Sequence, residues 1–243
     1  MITVALQDLG QIEYGIAWEL QETLMKQGLA IKAARFKHEV ALADKIDNHL
    51  LLCQHPHVYT LGKSGVLENL LINDSRMKDL NVTFYPTNRG GDITYHGPGQ
   101  MVAYPVLDLE QFKTDLGWYM HSLEETIILT VAEFGIEAGR LQGSIGVWLD
   151  ADKPTARKMC ALGVKCSRWL TIHGLALNVN TDLQYFNYIV PCGIADKGVT
   201  SMRQELGHEV DEERVKAFFV QKFADVFGVN ITAPEQVAAT HTR

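Results

Sequence analysis

The chain has 243 residues, enough for one large domain, and 47% of them are hydrophobic, enough to bury a substantial core and to exclude extensive disorder. Its 29 acidic against 22 basic residues give a formal charge of −7. No long basic run offsets this, which argues against sequence-independent nucleic-acid binding. No uncharged apolar stretch approaches the roughly 18 residues of a membrane helix. The opening MITVALQDLG has neither the charged and apolar regions of a signal peptide nor the arginines of a transit peptide. The four cysteines include no CxxC pair and are not a disulfide scaffold. The expectation is a reduced, cytoplasmic enzyme with free thiols.

In chain order, Tyr14 to Lys37 reads as a helix, with Trp18, Leu20, Leu24 and Ile31 as its apolar positions. HLLLCQHP and HVYTLG read as strands split by Pro56, and VTFYP as another. The glycine-rich NRGGDITYHGPGQ follows, then MVAYPVLDL as a buried strand. A second helix covers Leu116 to Phe134, where Leu123, Ile127, Val131 and Phe134 recur at helical spacing. IGVWLD, RKMCALGVK and WLTIHGLALNV are strands with no helix between them, which predicts antiparallel hairpins. A short helix starts at Thr200 or Ser201, with Gln204 completing a capping box and Gly207 as its stop. A last amphipathic helix runs from Asp211 to Phe227. The pattern predicts an α+β fold, a mixed, largely antiparallel sheet flanked by helices, with the N-terminal helix on the same layer as the others. One domain is expected over residues 1–230, with a flexible tail at 231–243.

The segment RGGDITYHGPGQ, residues 89 to 100, matches neither GxGxxG nor GxxxxGK[ST]. Its glycines permit close backbone approach, suiting a loop that wraps an elongated ligand, or two tight turns of a hairpin. Arg89 and His96 within it both need partners. On a regular strand Lys158 would share a face with Cys160, Leu162 and Val164. There desolvation would disfavour its ammonium and make it a usable base, unless the side chain reaches back to water. Gly163 marks a place for close ligand approach. The same alternation places His173 with Leu175, Leu177 and Val179, as a core residue or a catalyst, and puts the small Gly174 and Ala176 on the opposite face, where they leave room. If a ligand fills it, an unbranched acyl chain suits a narrow apolar slot.

Cys192, between Pro191 and Gly193, sits in the turn ending an apolar run, where a packing cysteine is out of place. An unperturbed thiol is only about 3% thiolate at pH 7, so a nucleophile there needs Lys158, His96 or His173 as a partner. Backbone N–H groups at Cys192, Gly193 and Ile194 can hold an oxyanion. The other cysteines, Cys53, Cys160 and Cys166, read as structural. Cys53, His55 and His57 alternate in a metal-like way, but Pro56 interrupts them and no compact fourth ligand follows, so no metal is expected.

RGGDITYHGPGQ, RKMCALGVK…TIHGLALNVN and IVPCGI, in this order, resemble the lipoyl(octanoyl) transferases, over about Leu6 to Leu206. The resemblance implies the fold of the biotin and lipoate protein ligases and a catalytic pair on Cys192 and Lys158. It implies substrate contacts at Arg89, Gly90, Gly91, Asp92, Ile93, Thr94, Tyr95 and His96, at Ala161, Leu162 and Gly163, and at Gly174, Leu175 and Ala176, with His173 beside them as an orienting hydrogen-bonder. The implied reaction moves octanoate from octanoyl-acyl carrier protein, through a cysteine thioester, to a lysine of lipoyl domains, those of 2-oxoacid dehydrogenase complexes and the glycine cleavage H protein. A thioester donor is already activated, so no cofactor is implied. The acidity of acyl carrier proteins would give Lys153, Arg157, Lys158, Lys165 and Arg168 a docking role. The competing readings are an ATP-dependent lipoate or biotin ligase, a non-catalytic acyl-binding module, and a cysteine hydrolase lacking a placeable Cys–His–Asn set.

Overall fold

The computed structural model describes residues 1–37, 45–190 and 197–233. Strand β1 (Ile2–Gln11) leads into helix α1 (Tyr14–Phe36), followed by β2 (Asn48–Gln54) and β3 (Val58–Leu61). The short α2 (Asp74–Asp79) precedes β4 (Thr83–Pro86), β5 (Ile93–His96) and β6 (Gln100–Val106). Helix α3 (Leu116–Ala132) is followed by β7 (Gly139–Leu141), β8 (Ser144–Leu149), β9 (Arg157–Ser167) and β10 (Leu170–Asn178). Then come β11 (Gly198–Val199), α4 (Met202–Leu206), α5 (Glu212–Phe227) and β12 (Val229–Thr232).

Among the described residues, nine strands form one sheet, ordered β12-β1-β2-β6-β10-β9-β8-β7 with β11 alongside β9, and β4-β3-β5 form a second. The pairs from β2 through β6, β10, β9 and β8 to β7 are all antiparallel. β1 pairs in parallel with both β12 and β2. Sequence periodicity had assigned no element to β1 or to α2. Ile231 and Thr232, expected in the tail, belong to β12. The tail from residue 234 onward lies outside the described residues.

Helix ends follow local chemistry. Asp115 accepts from the Trp118 N–H at 2.9 Å to start α3, and Asp211 caps α5 through the N–H groups of Glu213 and Arg214. Ser201 accepts from the Gln204 N–H, and Gly207, at φ 75°, ends α4.

The helices lie on both faces of the sheet, which corrects the expectation of a single layer. β6 and β10 are buried at every position. Leu50, Leu52, Met101 and Ala103 pack with α3 and α5, while Leu51, Cys53, Val102 and Tyr104 pack with α1. A strand apolar on both faces needs cover on both, so α1 must take the side opposite α3 and α5. The contact face of α1 is Tyr14, Ala17, Gln21, Met25 and Gly28, with Trp18, Leu20, Leu24 and Ile31 half-buried along its flanks. Gly28 allows this close approach, because a Cβ there would stand 2.9 Å from Leu170 Cδ1.

A buried polar seam joins the small sheet to the large one. The Tyr14 ring lies 5.3 Å from the His55 ring and stacks on His96 at 5.9 Å. His55 Nδ1–H donates to the Ile12 carbonyl at 2.7 Å, leaving Nε2 to accept from Tyr104 OH at 2.7 Å. Gln100 donates its amide to Tyr95 O and Asn178 Oδ1, so its Oε1 accepts from His96 Nδ1–H at 2.8 Å. Both imidazoles are thus neutral with both nitrogens engaged. Burial lowers the pKa of His55 to about 4, and burial together with its neighbour His55 lowers that of His96 to about 3.

These histidines make stability fall in acid. In the unfolded chain they protonate near 6.5, while the folded state holds them neutral. Their contribution is complete above pH 6.5 and is lost as pH falls toward 4 and 3. By linkage each removes on the order of 2 kcal/mol by pH 5. Urea unfolding midpoints measured from pH 7.5 to 4.5 should therefore fall steadily below pH 6.5, and replacing His55 with Gln should flatten that decline.

Candidate functional site

The glycine-rich loop is laid across β9 and clamped there. Gly90 N–H donates to the Val164 carbonyl at 2.9 Å. The Arg89 guanidinium donates to Thr60 O at 2.6 Å, to Thr60 Oγ1 at 2.9 Å and to Gly90 O at 2.9 Å. Thr60 Oγ1 in turn lies 3.5 Å from His96 Nε2, so one arginine links the loop, β3 and the seam. Gly91 adopts φ 83°, and Asp92 Oδ1 accepts from the Ile93 N–H to restart the chain as β5. Gly163 lets the loop close down, since a Cβ there would lie 2.9 Å from Gly90 O.

Between the loop, β9 and β10 lies a narrow cavity of about 40 Å³. Arg89, Gly91, Asp92, Ile93, Thr94 and His96 line it from the loop side. Ala161, Leu162 and Gly163 line it from β9, and His173, Gly174, Leu175 and Ala176 from β10. Two residues of the expected set lie elsewhere. Gly90 holds the loop on Val164, and Tyr95 turns away to stack on Tyr185 at 5.0 Å and bond His57 through its hydroxyl. Tyr14 and Tyr104 line the cavity although sequence reasoning did not select them. Tyr104 was readable from the alternation of β6. Tyr14, at the first turn of α1, gave no signal. Burial pushes the Tyr14 phenol up to about 12, keeping it neutral.

A second space of about 20 Å³ adjoins the first and is lined by Lys158, Gln100, Asn178, Phe186 and Val199. Thr94, Ala161 and Ala176 line both cavities. Lys158 faces this space because β9 carries a bulge. Trp148 pairs with Lys158 but Val147 pairs with Cys160, so Met159 is the extra residue. The bulge shifts the alternation by one residue. Lys158 therefore lines a cavity with Ala161, and Cys160, Leu162 and Val164 pack into the core on the α3 and α5 side. This corrects the expectation that all four share a face. Its ammonium Nζ stands 4.7 Å from the centre of the Trp148 ring. Gly146, at φ 126°, makes room for the lysine stem, because a Cβ there would lie 3.3 Å from Lys158 Cε and 2.7 Å from Cys160 O.

His173 also departs from the expected face. At φ 59° it breaks the alternation of β10, so its side chain lies with α1, near Trp18, and away from Leu175 and Leu177. Its N–H donates to Gln21 Oε1 at 2.8 Å, and its Nε2 meets Asn88 Oδ1 at 2.8 Å. Asn88 donates to Glu22, which also accepts from Lys165 at 2.9 Å. Burial and the nearby Arg89 charge lower the His173 pKa to about 3.

Cys192 falls in residues 191–196, outside the described residues. The chain on either side is placed: Val190 N–H donates to Asn69 O, and Val199 pairs in register with Lys158. Burial raises the thiols of Cys53, Cys160 and Cys166. The basic residues grouped by sequence are divided along β9, an 11-residue strand about 33 Å long at roughly 3.3 Å per residue. Lys153 and Arg157 pair with Asp150 at one end, Arg157 pairs also with Glu205, and Lys165 pairs with Glu22 toward the other. They do not form one basic patch. His57 turns toward Tyr95 and Tyr185, away from Cys53 and His55. Among the described residues no group of three His, Cys, Asp or Glu side chains could hold a metal, and no helix is long and apolar enough to cross a membrane.

The lipoyl protein ligase A/B catalytic domain matches residues 13–224. The octanoyltransferase of Flavobacterium johnsoniae is 53% identical over 229 residues, 94% of this chain and 98% of that protein. The octanoyltransferase of Solibacter usitatus is 46% identical over 98% of this chain and 100% of its own length. Among solved structures, the bipartite lipoate protein ligase of Thermoplasma acidophilum superposes with a TM-score of 0.69 at 15% identity, over 96% of this chain and 87% of that one. A lipoate-protein ligase A bound with ATP superposes at 0.66 and 14% identity, over 96% and 88%, so the fold is shared with the ligases. On the match across most of its length, the chain belongs to the lipoyl protein ligase A/B catalytic domain family, and it is an acyltransferase.

Proposed function

We propose that the chain transfers an octanoyl group from octanoyl-acyl carrier protein, through a thioester on Cys192, to the lysine amine of a lipoyl domain. The observation that carries this reading is the narrow slot between the glycine-rich loop and β9–β10, with Lys158 at one end. The octanoyltransferase relatives support the acyl group. The acceptors are the lipoyl domains of 2-oxoacid dehydrogenase complexes and the glycine cleavage H protein. The work is cytoplasmic, where the thiol stays reduced.

The chemistry follows from the environment of Lys158. A ring face 4.7 Å away favours a cation, so Lys158 serves as the ammonium partner of a Cys192 thiolate. The thiolate attacks the thioester carbonyl, the carbonyl reforms, and the carrier's thiolate leaves with a proton from Lys158. The acceptor amine then attacks the enzyme thioester, its proton passes to Lys158, and Cys192 leaves as thiolate. A thioester is activated already, and its conversion to an amide runs downhill without ATP. His96 and His173, neutral and hydrogen-bonded, orient groups at the slot.

An ATP-dependent lipoate ligase is the competing reading, favoured by the shared fold. Intact mass spectrometry after incubation with octanoyl-acyl carrier protein, without ATP, separates the two. A hydroxylamine-sensitive octanoyl adduct is expected, absent in Cys192→Ser. Absence of the adduct, together with ATP-dependent labelling of a lipoyl domain, would sink the transferase reading. Lys158→Ala should abolish the adduct near neutral pH. Trp148→Leu should slow its formation by up to about tenfold, the size of a partly desolvated cation–π contact, whereas Trp148→Phe should keep most of the rate.

A further inference from the structure

We propose that the stacked rings of Tyr95, Tyr185 and His57 are a mount that positions the nucleophile segment against Lys158, so that Tyr95 is a positioning residue and not a substrate contact. The proposal rests on reading Cys192 and Lys158 as the reacting pair, and it names what holds the chain that joins them. The helical turn Leu183–Tyr188 is that link. Phe186 on this turn lines the space beside Lys158, and the chain runs on from the turn through Ile189 and Val190 to Cys192.

A single short helical turn has little stability of its own, so its place is set by what it packs against. The Tyr185 ring lies 4.2 Å from the His57 ring at 13°, and 5.0 Å from the Tyr95 ring at 7°. Phe186 meets Tyr95 edge-on at 5.3 Å. The Tyr59 hydroxyl donates to the Tyr185 carbonyl at 2.7 Å. Two further hydroxyls tie the rings together, with Tyr95 OH 2.7 Å from His57 Nδ1 and Tyr185 OH 3.3 Å from His57 Nε2. A neutral imidazole has one donor and one acceptor, and the two tyrosines engage both. Beyond the turn, Leu71 N–H donates to Tyr188 O and Val190 N–H to Asn69 O, which carries the attachment toward Cys192.

The alternation of β5 connects this mount to the slot. Thr94 and His96 line the larger cavity from one face of the strand, whereas Tyr95 packs with Tyr59, Phe186 and Ile189 on the other. Gly97 serves the mount as well. A Cβ there would stand 1.9 Å from the Tyr95 hydroxyl and 3.2 Å from His57 Nδ1, so this glycine keeps room for the ring pair. One strand therefore places the acyl slot on one side and the nucleophile segment on the other. An ammonium stabilises a thiolate strongly only within about 4–6 Å, so a loosened turn would lower the thiolate fraction of Cys192 without altering the slot.

Alkylation of Cys192 by iodoacetamide, followed across pH by peptide mass, reads its thiolate without an acyl substrate. Tyr185→Leu should slow it about two- to tenfold at pH 7 and move its midpoint toward the ordinary thiol value of about 8.5. The kcat for octanoyl transfer should fall by a similar factor, while KM for the donor and the preference among hexanoyl, octanoyl and decanoyl donors stay unchanged. Tyr185→Phe keeps the stack and should restore the rate and the midpoint. His57→Leu, at a half-buried position, should act as Tyr185→Leu does and replaces it should that variant fail to fold. If alkylation keeps its rate and midpoint in these variants while the unaltered protein forms its octanoyl adduct, the proposal fails alone. A raised KM or altered chain preference in Tyr95→Leu, with alkylation unchanged, also overturns it and returns Tyr95 to the substrate contacts. If the unaltered protein forms no adduct and its Cys192 titrates as an ordinary thiol, the reading of the reacting pair falls as well.

Discussion

The Arg89 guanidinium, folded back onto Thr60 and Gly90, is the contact on which the site depends. Its partners lie on the small sheet and on the loop, and Gly90 carries the loop onto β9 of the large sheet. Together with the Gly90 bond to Val164, this clasp keeps the loop over β9, where it walls the cavity. Charge-assisted bonds to a buried carbonyl and hydroxyl are among the stronger neutral-partner contacts a protein makes, and losing them would strand those acceptors. The residue that reads in sequence as a substrate contact is therefore also the one that assembles the slot.

Much of this architecture was legible because it rests on short-range chemistry. Leu123, Ile127 and Val131 at helical spacing, and Ser201 with Gln204 and Gly207, carry their structural meaning within a few residues. The illegible parts depend on distant partners. β1 is a strand because β2 and β12 flank it, and β12 arrives from the far end of the chain. The layer of α1 follows from β6 and β10 being apolar on both faces, which a helix pattern alone does not report. At the site, alternation failed at two residues for two reasons. A bulge at Met159 re-aimed Lys158, and a left-handed backbone at His173 re-aimed the imidazole. The loop, β9 and β10 segments were read from their motifs, whereas the Asn88–Glu22–Lys165 relay joins three separate elements and has no signature in one dimension.

Charge shows the same separation of chain and space. Lys153, Arg157 and Lys165 are near neighbours in sequence, yet each meets a carboxylate in the fold, and β9 carries them apart. Lys158, in addition, has the face of the Trp148 indole beside its ammonium. A π face of this kind favours a cation.

Thr94, Ala161 and Ala176, which line both cavities, also bear on timing. On the proposed reaction, a chain lying along these small residues would be held lengthwise with its carbonyl at the Lys158 end. Walls that close around the chain would keep water from the thioester, so that it would last until the second protein arrives. On that reading, a brief encounter with a donor would leave a charged state that waits for an acceptor.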